Sequence, residues 1–422
     1  MSRSQPHPCP LCQPLADSPQ TGPQTGANCP DSAVIERRLY VPTLQNVTLA
    51  TREAAQTARR GTLKMVQCGS CGFVWNAAFD PALMSYDSGY NNDVSASDFY
   101  QAHLCSMADR ILASVPPEEE IHYVEIGCGE GDFLRLLHER GQGRVVSAVG
   151  FDPSFTTAEQ LPDGVVVHPC YFTPAEITKI PPQTNIVCSR HTIEHVSDVQ
   201  GFAANLAATM APGRQLFVET PDVDWILRHG AFQDFFYEHC ALYTPHSISL
   251  LLARHGLQCE VVPVYDGQYM WIEAQIPAAG QPLVQPPPSD PRDLGQTYQS
   301  HRSALLDSWA AYLERRKSAG PIAIWGAASK GVTFALIMNA RTHQMITAGI
   351  DLNAAKQGCY MPVTGLPILA PQEAKDMGVA TVVIMNPNYE AEIRNMIADL
   401  DWSPEITVLN EARDEQQLKH VS

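Results

Sequence analysis

The chain has 422 residues, of which 45% are apolar and only 17% charged. This composition is that of a folded protein with two or three hydrophobic cores, and it excludes a disordered chain. The formal net charge of −17 argues against polyanionic partners such as nucleic acid or an anionic membrane. The chain has no apolar run of about 18 residues and no apolar stretch near Met1. We therefore expect a soluble, cytoplasmic protein.

Two Cys-x-x-Cys pairs lie near the N-terminus, Cys9/Cys12 and Cys68/Cys71. Four thiolates can bind one tetrahedral Zn²⁺, and four protein ligands make such a site closed and structural. A redox dithiol or a chance spacing are the alternatives. Redox pairs usually begin a helix after a strand, a setting that neither pair has. The spacing therefore predicts a zinc-binding module over residues 1–95.

From residue 96 onward, helical and strand patterns alternate. A helical pattern at 96–118 precedes apolar strand candidates at 123–126, 145–151, 185–188 and 215–219. Such alternation predicts a parallel sheet with helices on both faces. The proline-rich stretch 281–293 predicts a boundary, after which a helix and a smaller alternating unit follow. We therefore predict an α/β protein with three domains, at residues 1–95, 96–285 and 286–422.

A glycine-rich turn with Glu125, Gly127, Gly129 and Gly131 follows the first strand of the central domain and precedes a helix. Its glycines allow a ligand close to the backbone, and the helix start exposes N–H groups. Glu125 suits the cationic amino-acid part of S-adenosylmethionine (SAM) better than it suits a pyrophosphate. Asp152, at the end of the next strand, is placed to bind both hydroxyls of a ribose. We therefore predict a SAM site, with NAD as the competing ligand.

Two clusters of histidine and carboxylate residues follow this turn. The first spans 190–195 and comes directly after a strand, at the sheet edge where ligands bind; the second reads Phe236-Tyr237-Glu238-His239. A histidine with a neighbouring carboxylate can act as a base near neutral pH, and a phenol can donate to a developing enolate. The clusters predict proton abstraction next to a carbonyl group, with ordinary surface or core histidines as the alternative.

With these motifs, the whole chain resembles the three-domain sugar C-methyltransferases of deoxysugar biosynthesis, which act on nucleotide-linked 4-keto-deoxysugars. The cysteine pairs, the glycine-rich turn and the two histidine clusters fit in order. The matching C-terminal segments are 326–331, 351–358 and 388–389. The resemblance implies an N-terminal zinc module, a class I SAM-methyltransferase (Rossmann-like) domain and a C-terminal Rossmann-like domain. It also implies an enzyme with SAM and structural zinc as cofactors.

The resemblance further implies roles for individual residues. His239 would remove a proton from the carbon next to the sugar ketone, and the other catalytic candidates are Glu238, Tyr237 and His191. His191 would also contact the cofactor. The substrate's nucleotide diphosphate would be held by Lys330, with Asn388 and Tyr389. The chain departs from the family in one place, because the family usually reads Tyr-His-Glu-His where this chain has Phe236-Tyr237-Glu238-His239.

Three other functions remain open from the sequence. The first is an O- or N-methyltransferase that acts on another small natural product with the same three-domain scaffold. The second is a binding protein whose active site has decayed, and the third is an NAD-dependent sugar enzyme. The C-terminal unit lacks a full dinucleotide fingerprint, which counts against the third. We expect a small-molecule substrate and a monomer or homodimer.

Overall fold

The computed structural model describes residues 7–14, 32–84, 97–156, 161–286 and 291–409. The described residues form three β-sheets, of four, seven and five strands. The predicted domain boundary at residue 95, and Pro287 and Pro288 of the proline-rich stretch, lie outside the described residues. Within the described ranges, no helix combines the length and the apolar character needed to cross a membrane.

The four-stranded sheet is antiparallel and has the order β1-β2-β3-β9. Its strands are β1 (Ala33–Pro42), β2 (Arg60–Gln67), β3 (Val74–Asn76) and β9 (Ala241–Leu242), and the short helix α1 (Arg52–Gln56) lies between β1 and β2. The last strand, β9, belongs to the central part of the sequence, and its Leu242 pairs with Val74 of β3. This pairing attaches the N-terminal sheet directly to the segment that follows the second histidine cluster.

The seven-stranded sheet has the order β10-β11-β8-β7-β4-β5-β6. Its strands are β4 (Ile121–Ile126), β5 (Val145–Phe151), β6 (Val165–His168), β7 (Ile186–Arg190), β8 (Gln215–Pro221), β10 (Gln258–Val264) and β11 (Tyr269–Gln275). Strands β4 to β8 are parallel, as the alternating pattern predicts. The sequence analysis missed the antiparallel pair β10–β11, which extends the sheet beside β8. Parallel strands with an added antiparallel edge form the class I SAM-methyltransferase sheet.

Five helices accompany the central sheet within the described residues. They are α2 (Asp98–Ala113), α3 (Asp132–Arg140), α4 (Val199–Ala208), α5 (Val223–His229) and α6 (Pro245–Arg254). The helical pattern at 96–118 thus corresponds to α2, which begins at the capping side chain of Ser97. All five side chains of β7 are buried, because helices cover both faces of a parallel sheet.

The five-stranded sheet is parallel throughout and has the order β14-β13-β12-β15-β16. Its strands are β12 (Ile322–Trp325), β13 (Ile346–Ile350), β14 (Ile368–Leu369), β15 (Thr381–Ile384) and β16 (Glu405–Val408). Its helices are α8 (Ser329–Arg341), α9 (Pro371–Asp376) and α10 (Glu390–Asp399), and the long helix α7 (Arg292–Arg316) precedes the sheet. Helix α7 contacts α5, β1 and α8, so it packs against the central, N-terminal and C-terminal parts of the chain.

In both parallel sheets the strand order reverses beside the first strand. The reversal lies between β4 and β7 in the central sheet and between β12 and β15 in the C-terminal sheet. Ligands of open α/β sheets bind outside the carboxyl ends of the strands at such points. Residues that follow β7, β12, β13 and β15 line one common cavity. The two ligand-binding edges therefore face each other.

Candidate active site

The cavity between the two sheet edges has a volume of about 500 Å³, which is within the range of small-molecule sites. The central domain contributes His191, Glu194, His195, Phe236 and His239 to its lining. The C-terminal sheet contributes Lys330, Asp351, Lys356 and Tyr389. Of the residues predicted from the sequence, His191, His239, Lys330 and Tyr389 therefore share one cavity.

The glycine-rich turn needs its glycines for two different reasons. Gly127, Gly129 and Gly131 all have positive φ, at +77°, +54° and +80°, a conformation that side-chain-bearing residues rarely adopt. A Cβ on Gly127 would lie 1.9 Å from Oγ1 of Thr192, whereas a Cβ on Gly129 would meet no described atom within 4 Å. Gly127 therefore permits close packing inside the protein, and Gly129 leaves open space beside the backbone, as a cofactor that approaches this turn requires.

Asp152 lies where the sequence predicts it, beside the glycine-rich turn. Its Oδ2 accepts a hydrogen bond of 2.8 Å from the backbone N–H of Gly129. Its Oδ1 accepts from the N–H and the hydroxyl of Ser154. These bonds fix the carboxylate at the end of β5, next to the open space at Gly129. This arrangement fits the ribose of an adenosine.

Glu125 is a buried carboxylate at the carboxyl end of β4, only 1% exposed. Burial raises the pKa of Glu125 to about 7, although the guanidinium of Arg190, 3.8 Å away, acts in the opposite direction. Among the described residues, Oε2 of Glu125 has no hydrogen-bond partner. A buried acceptor without a partner is costly, and the ammonium group of SAM would supply the missing donor.

A buried network behind Glu125 was not predicted from the sequence. Arg190 donates to Glu219 at 2.9 Å, and Nε2 of His103 lies 2.5 Å from the other oxygen of Glu219. Burial alone would raise the pKa of Glu219, but the charges of Arg190 and His191 and the contact with His103 hold it below its usual range. Nothing in the helical pattern around His103 marks this role. Glu219 carries the same signal as Asp152, an acid near the carboxyl end of a buried strand.

The structure brings the two histidine clusters together. The rings of His195 and His239 lie 4.8 Å apart between centroids, and the ring of Phe236 lies 3.9 Å from that of His239. Nδ1 of His191 is 3.4 Å from Oε1 of Glu194. Burial lowers the pKa of His239 well below its ordinary value, and the neighbouring charges of His195, His191 and Lys330 lower it further. The imidazole of His239 is therefore neutral near pH 7.

Tyr237 and Glu238 point away from the cavity, although the sequence analysis grouped them with His239. The hydroxyl of Tyr237 accepts a hydrogen bond of 2.8 Å from the backbone N–H of Asp80, and its ring packs on Phe79. The structure therefore does not bring Tyr237 together with the other predicted catalytic residues. Glu238 is buried as well, with Oε1 bonded to the N–H of Gln45 and Oε2 4.0 Å from Nδ1 of His195. Glu238 can act on the cavity through His195.

Lys330 lies in the first turn of helix α8, on the C-terminal side of the cavity. Its ammonium group donates to Gln268 at 2.7 Å and lies 3.0 Å from Asp234, and both partners belong to the central part of the chain. Tyr389 lines the cavity, and its hydroxyl is hydrogen-bonded to that of Tyr265 at 2.5 Å. These contacts hold the two cavity walls together.

Asn388 does not line this cavity. Its backbone N–H donates to the side chain of Asn386, and its own amide nitrogen is buried without a hydrogen-bond partner in the described ranges. The structure therefore separates Asn388 from Lys330 and Tyr389, with which the sequence analysis grouped it.

Asp351 is a cavity residue that the sequence analysis did not assign to the site. It follows β13, and its Oδ2 accepts from the N–H of Ala327 at 3.2 Å. Gly326, directly after β12, has a φ of +106°. This geometry repeats that of Asp152 and the glycine-rich turn in the central domain. An acid at the end of the second strand was the signal that could have identified Asp351 as well.

The four cysteines of the two pairs come together at the N-terminal sheet. Their sulfur atoms lie within 4.8 Å of one another, with 3.8 Å between Cys9 and Cys71 and 3.9 Å between Cys12 and Cys68. Zinc–sulfur bonds of about 2.3 Å in a tetrahedron place the sulfurs about 3.8 Å apart. None of the described cysteines forms a disulfide. The arrangement fits a structural zinc ion.

Two family models match the chain, the "Methyltransferase domain" at residues 99–262 and the "C-methyltransferase C-terminal domain" at residues 292–404. The C-methyltransferase NovU of Streptomyces niveus is 26% identical over 313 residues, which are 69% of this chain and 72% of that protein. The chain therefore carries a methyltransferase domain followed by the C-terminal domain of a C-methyltransferase. This confirms the family recognised from the sequence and shows that the protein is a SAM-dependent methyltransferase with the class I fold.

Other relatives match a smaller share of the chain. A ubiquinone biosynthesis O-methyltransferase of Rhizobium etli is 31% identical over 121 residues, which are 28% of this chain and 47% of that protein. A solved SAM-dependent methyltransferase of Mesorhizobium loti is 17% identical, with a TM-score of 0.31 over 40% of this chain and 99% of that one. The C-methyltransferase C-terminal domain of this chain supplies about half of the cavity lining.

Proposed function

We propose that this methyltransferase transfers a methyl group to carbon, on a nucleotide-linked 4-keto-deoxysugar, through an enolate. The observation that carries the proposal is the cavity in which the two histidine clusters of the central domain face the C-terminal edge at Gly326 and Asp351. The turn at Gly129 with Asp152 forms a second nucleotide-type edge of similar geometry, at the carboxyl ends of β4 and β5 and outside the lining of this cavity. One edge suits the adenosine of SAM, and the other suits the nucleotide of a substrate.

The C-terminal edge has the donors that a diphosphate needs. The N-terminus of α8, a helix of 13 residues, presents free backbone N–H groups and a partial positive charge. Lys330 adds an ammonium group at the same place. Asp351 would accept from the ribose of the nucleotide, and Tyr389 would pack against it. The sugar would then extend toward the histidine clusters of the central domain.

His239 is the base in this proposal, because its imidazole lines the cavity and packs against the apolar ring of Phe236. It would take a proton from the carbon next to the ketone. Glu238 is a positioning residue that acts through His195, and His191 is held beside Glu194 and Glu219. When bound, SAM supplies the electrophilic methyl group. The protein contributes orientation and stabilisation of the enolate charge.

Phe236 has no hydroxyl group, and Tyr237 uses its own hydroxyl at Asp80. A hydrogen bond to the enolate oxygen must therefore come from elsewhere in the cavity. The missing hydroxyl group at Phe236 distinguishes the chain from the family pattern. Product analysis identifies which carbon of the sugar is methylated. The four clustered cysteines would hold a structural zinc ion at a distance from this chemistry.

Loss of the base tests the proposal most simply. His239→Ala should abolish methylation while the affinity for SAM stays within about twofold of wild type, since the turn at Gly129 is untouched. In deuterated buffer the wild-type enzyme should exchange the hydrogen next to the ketone, and the variant should not. Full methylation by His239→Ala would remove His239 from the role of base.

O-methylation of a small natural product is the second candidate, and it is supported by the O-methyltransferase relatives of the central domain. Oxygen also needs a base, so the activity of His239→Ala does not separate the two reactions. Deuterium exchange does, because only C-methylation forms an enolate. Methylation without any exchange next to the ketone would favour the second candidate.

A further inference from the structure

We propose that Glu194, His195 and His239 form a binding site for a divalent transition-metal ion, separate from the four cysteines. One ligating atom from each of these three side chains lies within 4.8 Å of the others. All three side chains line the cavity. The prediction that a bound metal ion inhibits the enzyme rests on the proposed function. The prediction that the ion binds does not.

Two segments that are distant in sequence build this triad. Glu194 and His195 come from the turn after β7, and His239 comes from the segment before β9. Strand β9 pairs with β3 of the N-terminal sheet, which fixes the position of His239. The triad is therefore held by the pairing between sheets and not by a flexible loop alone.

Glu194 is prepared to act as a ligand. Its side chain is fully buried, and Oε2 accepts a hydrogen bond of 3.0 Å from the hydroxyl of Thr220. In the described part of the chain, the other oxygen, Oε1, makes no hydrogen bond. Nδ1 of His191 lies 3.4 Å from Oε1. A desolvated carboxylate oxygen without a hydrogen bond is costly unless a cation or donor pairs with it.

Residues behind the triad also resemble the supports of a metal site. Metal-binding histidines usually have a carboxylate or carbonyl beside the ring nitrogen that does not bind the metal. Glu238 lies 4.0 Å from Nδ1 of His195 and is itself held by the N–H of Gln45. Glu238 is therefore placed as such a support behind His195.

The donor set selects the class of ion. Two imidazoles and one carboxylate suit Zn²⁺, Co²⁺, Ni²⁺ or Fe²⁺, whereas Mg²⁺ and Ca²⁺ prefer oxygen ligands. Bonds of about 2.1 Å would place the three ligand atoms about 3.4 Å apart in a tetrahedral site. The remaining coordination positions would face the cavity.

Metal binding and proton abstraction exclude each other at His239. The nitrogen lone pair that accepts the substrate proton is the pair that would bind the ion. A metal ion on the triad should therefore block methylation, and a chelator should restore it as long as the four cysteines keep their own metal. The site thus predicts inhibition by free transition-metal ions.

A titration with Co²⁺ tests the site in the full-length protein without SAM or substrate. The protein is first loaded with one zinc per chain at the cysteines, which is verified by metal analysis. Wild type should then bind one Co²⁺ per chain, with d–d absorption and without the thiolate charge-transfer bands of a cysteine site. Glu194→Gln and His195→Ala should each weaken this binding at least about tenfold, and Glu238→Gln should weaken it about 10- to 100-fold. His343→Ala, at an exposed histidine, is the matched control and should bind as wild type does.

Two results would overturn the inference. One is the absence of a second metal equivalent in the wild-type protein. The other is undiminished Co²⁺ binding by both Glu194→Gln and His195→Ala, with each variant shown to be folded by circular dichroism. If one variant does not fold, His239→Asn takes its place. Because binding is measured without turnover, a protein that binds Co²⁺ but methylates no keto sugar would refute the proposed function and leave the metal site standing.

Discussion

We predict that Glu125 makes SAM binding depend on pH. Burial places its pKa at about 7, so the carboxylate is about half ionised at pH 7 and about one-tenth ionised at pH 6. In the proposed SAM site, the ammonium group of SAM would bind the ionised form. The dissociation constant should therefore increase as pH falls through 7, by about fivefold between pH 7 and pH 6. Above about pH 7.5 the amino group of the ligand begins to lose its own proton, which limits the useful range.

Glu125→Gln removes the charge but retains the shape of the side chain. A hydrogen bond to a charged group contributes about 1.5–3 kcal/mol, so we expect SAM to bind about 10- to 150-fold more weakly to the variant. Its affinity should also no longer change between pH 6 and pH 7. Glu139→Gln, at an exposed position on α3, is the control and should retain both the affinity and the pH dependence.

Isothermal titration calorimetry with SAM at pH 6.0, 6.5 and 7.0 measures both effects. The reasoning fails if the wild-type affinity is constant or increases toward pH 6. It also fails if Glu125→Gln binds within twofold of wild type at pH 7. Either result would mean that Oε2 of Glu125 does not face the ammonium group of the cofactor.

Three further predictions address other parts of the molecule. Gly129→Ala should reduce SAM affinity by more than about tenfold, as measured by calorimetry. In urea unfolding the variant should lose only about 1–2 kcal/mol of folding free energy, because its backbone is left-handed at this position. An unchanged affinity would place the cofactor elsewhere. Lys330→Met should raise the KM for the nucleotide sugar about tenfold or more and leave SAM affinity unchanged, and an equal loss of both would make Lys330 structural. Cys68→Ala should lower zinc content below one per chain and lower the melting temperature by several degrees, whereas retention of a full zinc equivalent would contradict the four-cysteine site.

The parts of the site that are formed by residues close together in the chain could be predicted from the sequence. Gly129 and Asp152 could be placed because a strand, a turn and the next strand end are fixed by short-range pattern. The same reasoning applied to β13 would have placed Asp351. The parallel sheets followed from alternating helices and strands, whereas the antiparallel pair β10–β11 was missed because short apolar runs do not reveal strand direction.

Side-chain direction and long-range partners could not be obtained in this way. Tyr237 lies between Phe236 and Glu238 in sequence, yet its hydroxyl points toward Asp80, because the chain turns at residues 237 and 238 and the two side chains leave the cavity wall there. His103 lies on a helix with an ordinary pattern and still pairs with Glu219 in the buried network. The pairing of β9 with the N-terminal sheet links segments about 170 residues apart, and only the folded structure shows it.

Product analysis with ¹³C-methyl-labelled SAM tests the central claim most directly. The enzyme is incubated with a panel of nucleotide-linked 4-keto-deoxysugars and, in parallel, with the same sugars reduced to the alcohol at C-4. We predict that carbon NMR finds the labelled methyl group bonded to carbon in a keto-sugar product and no product from the reduced sugars. A labelled methyl group on oxygen or nitrogen, or methylation of the reduced sugars, would contradict the account.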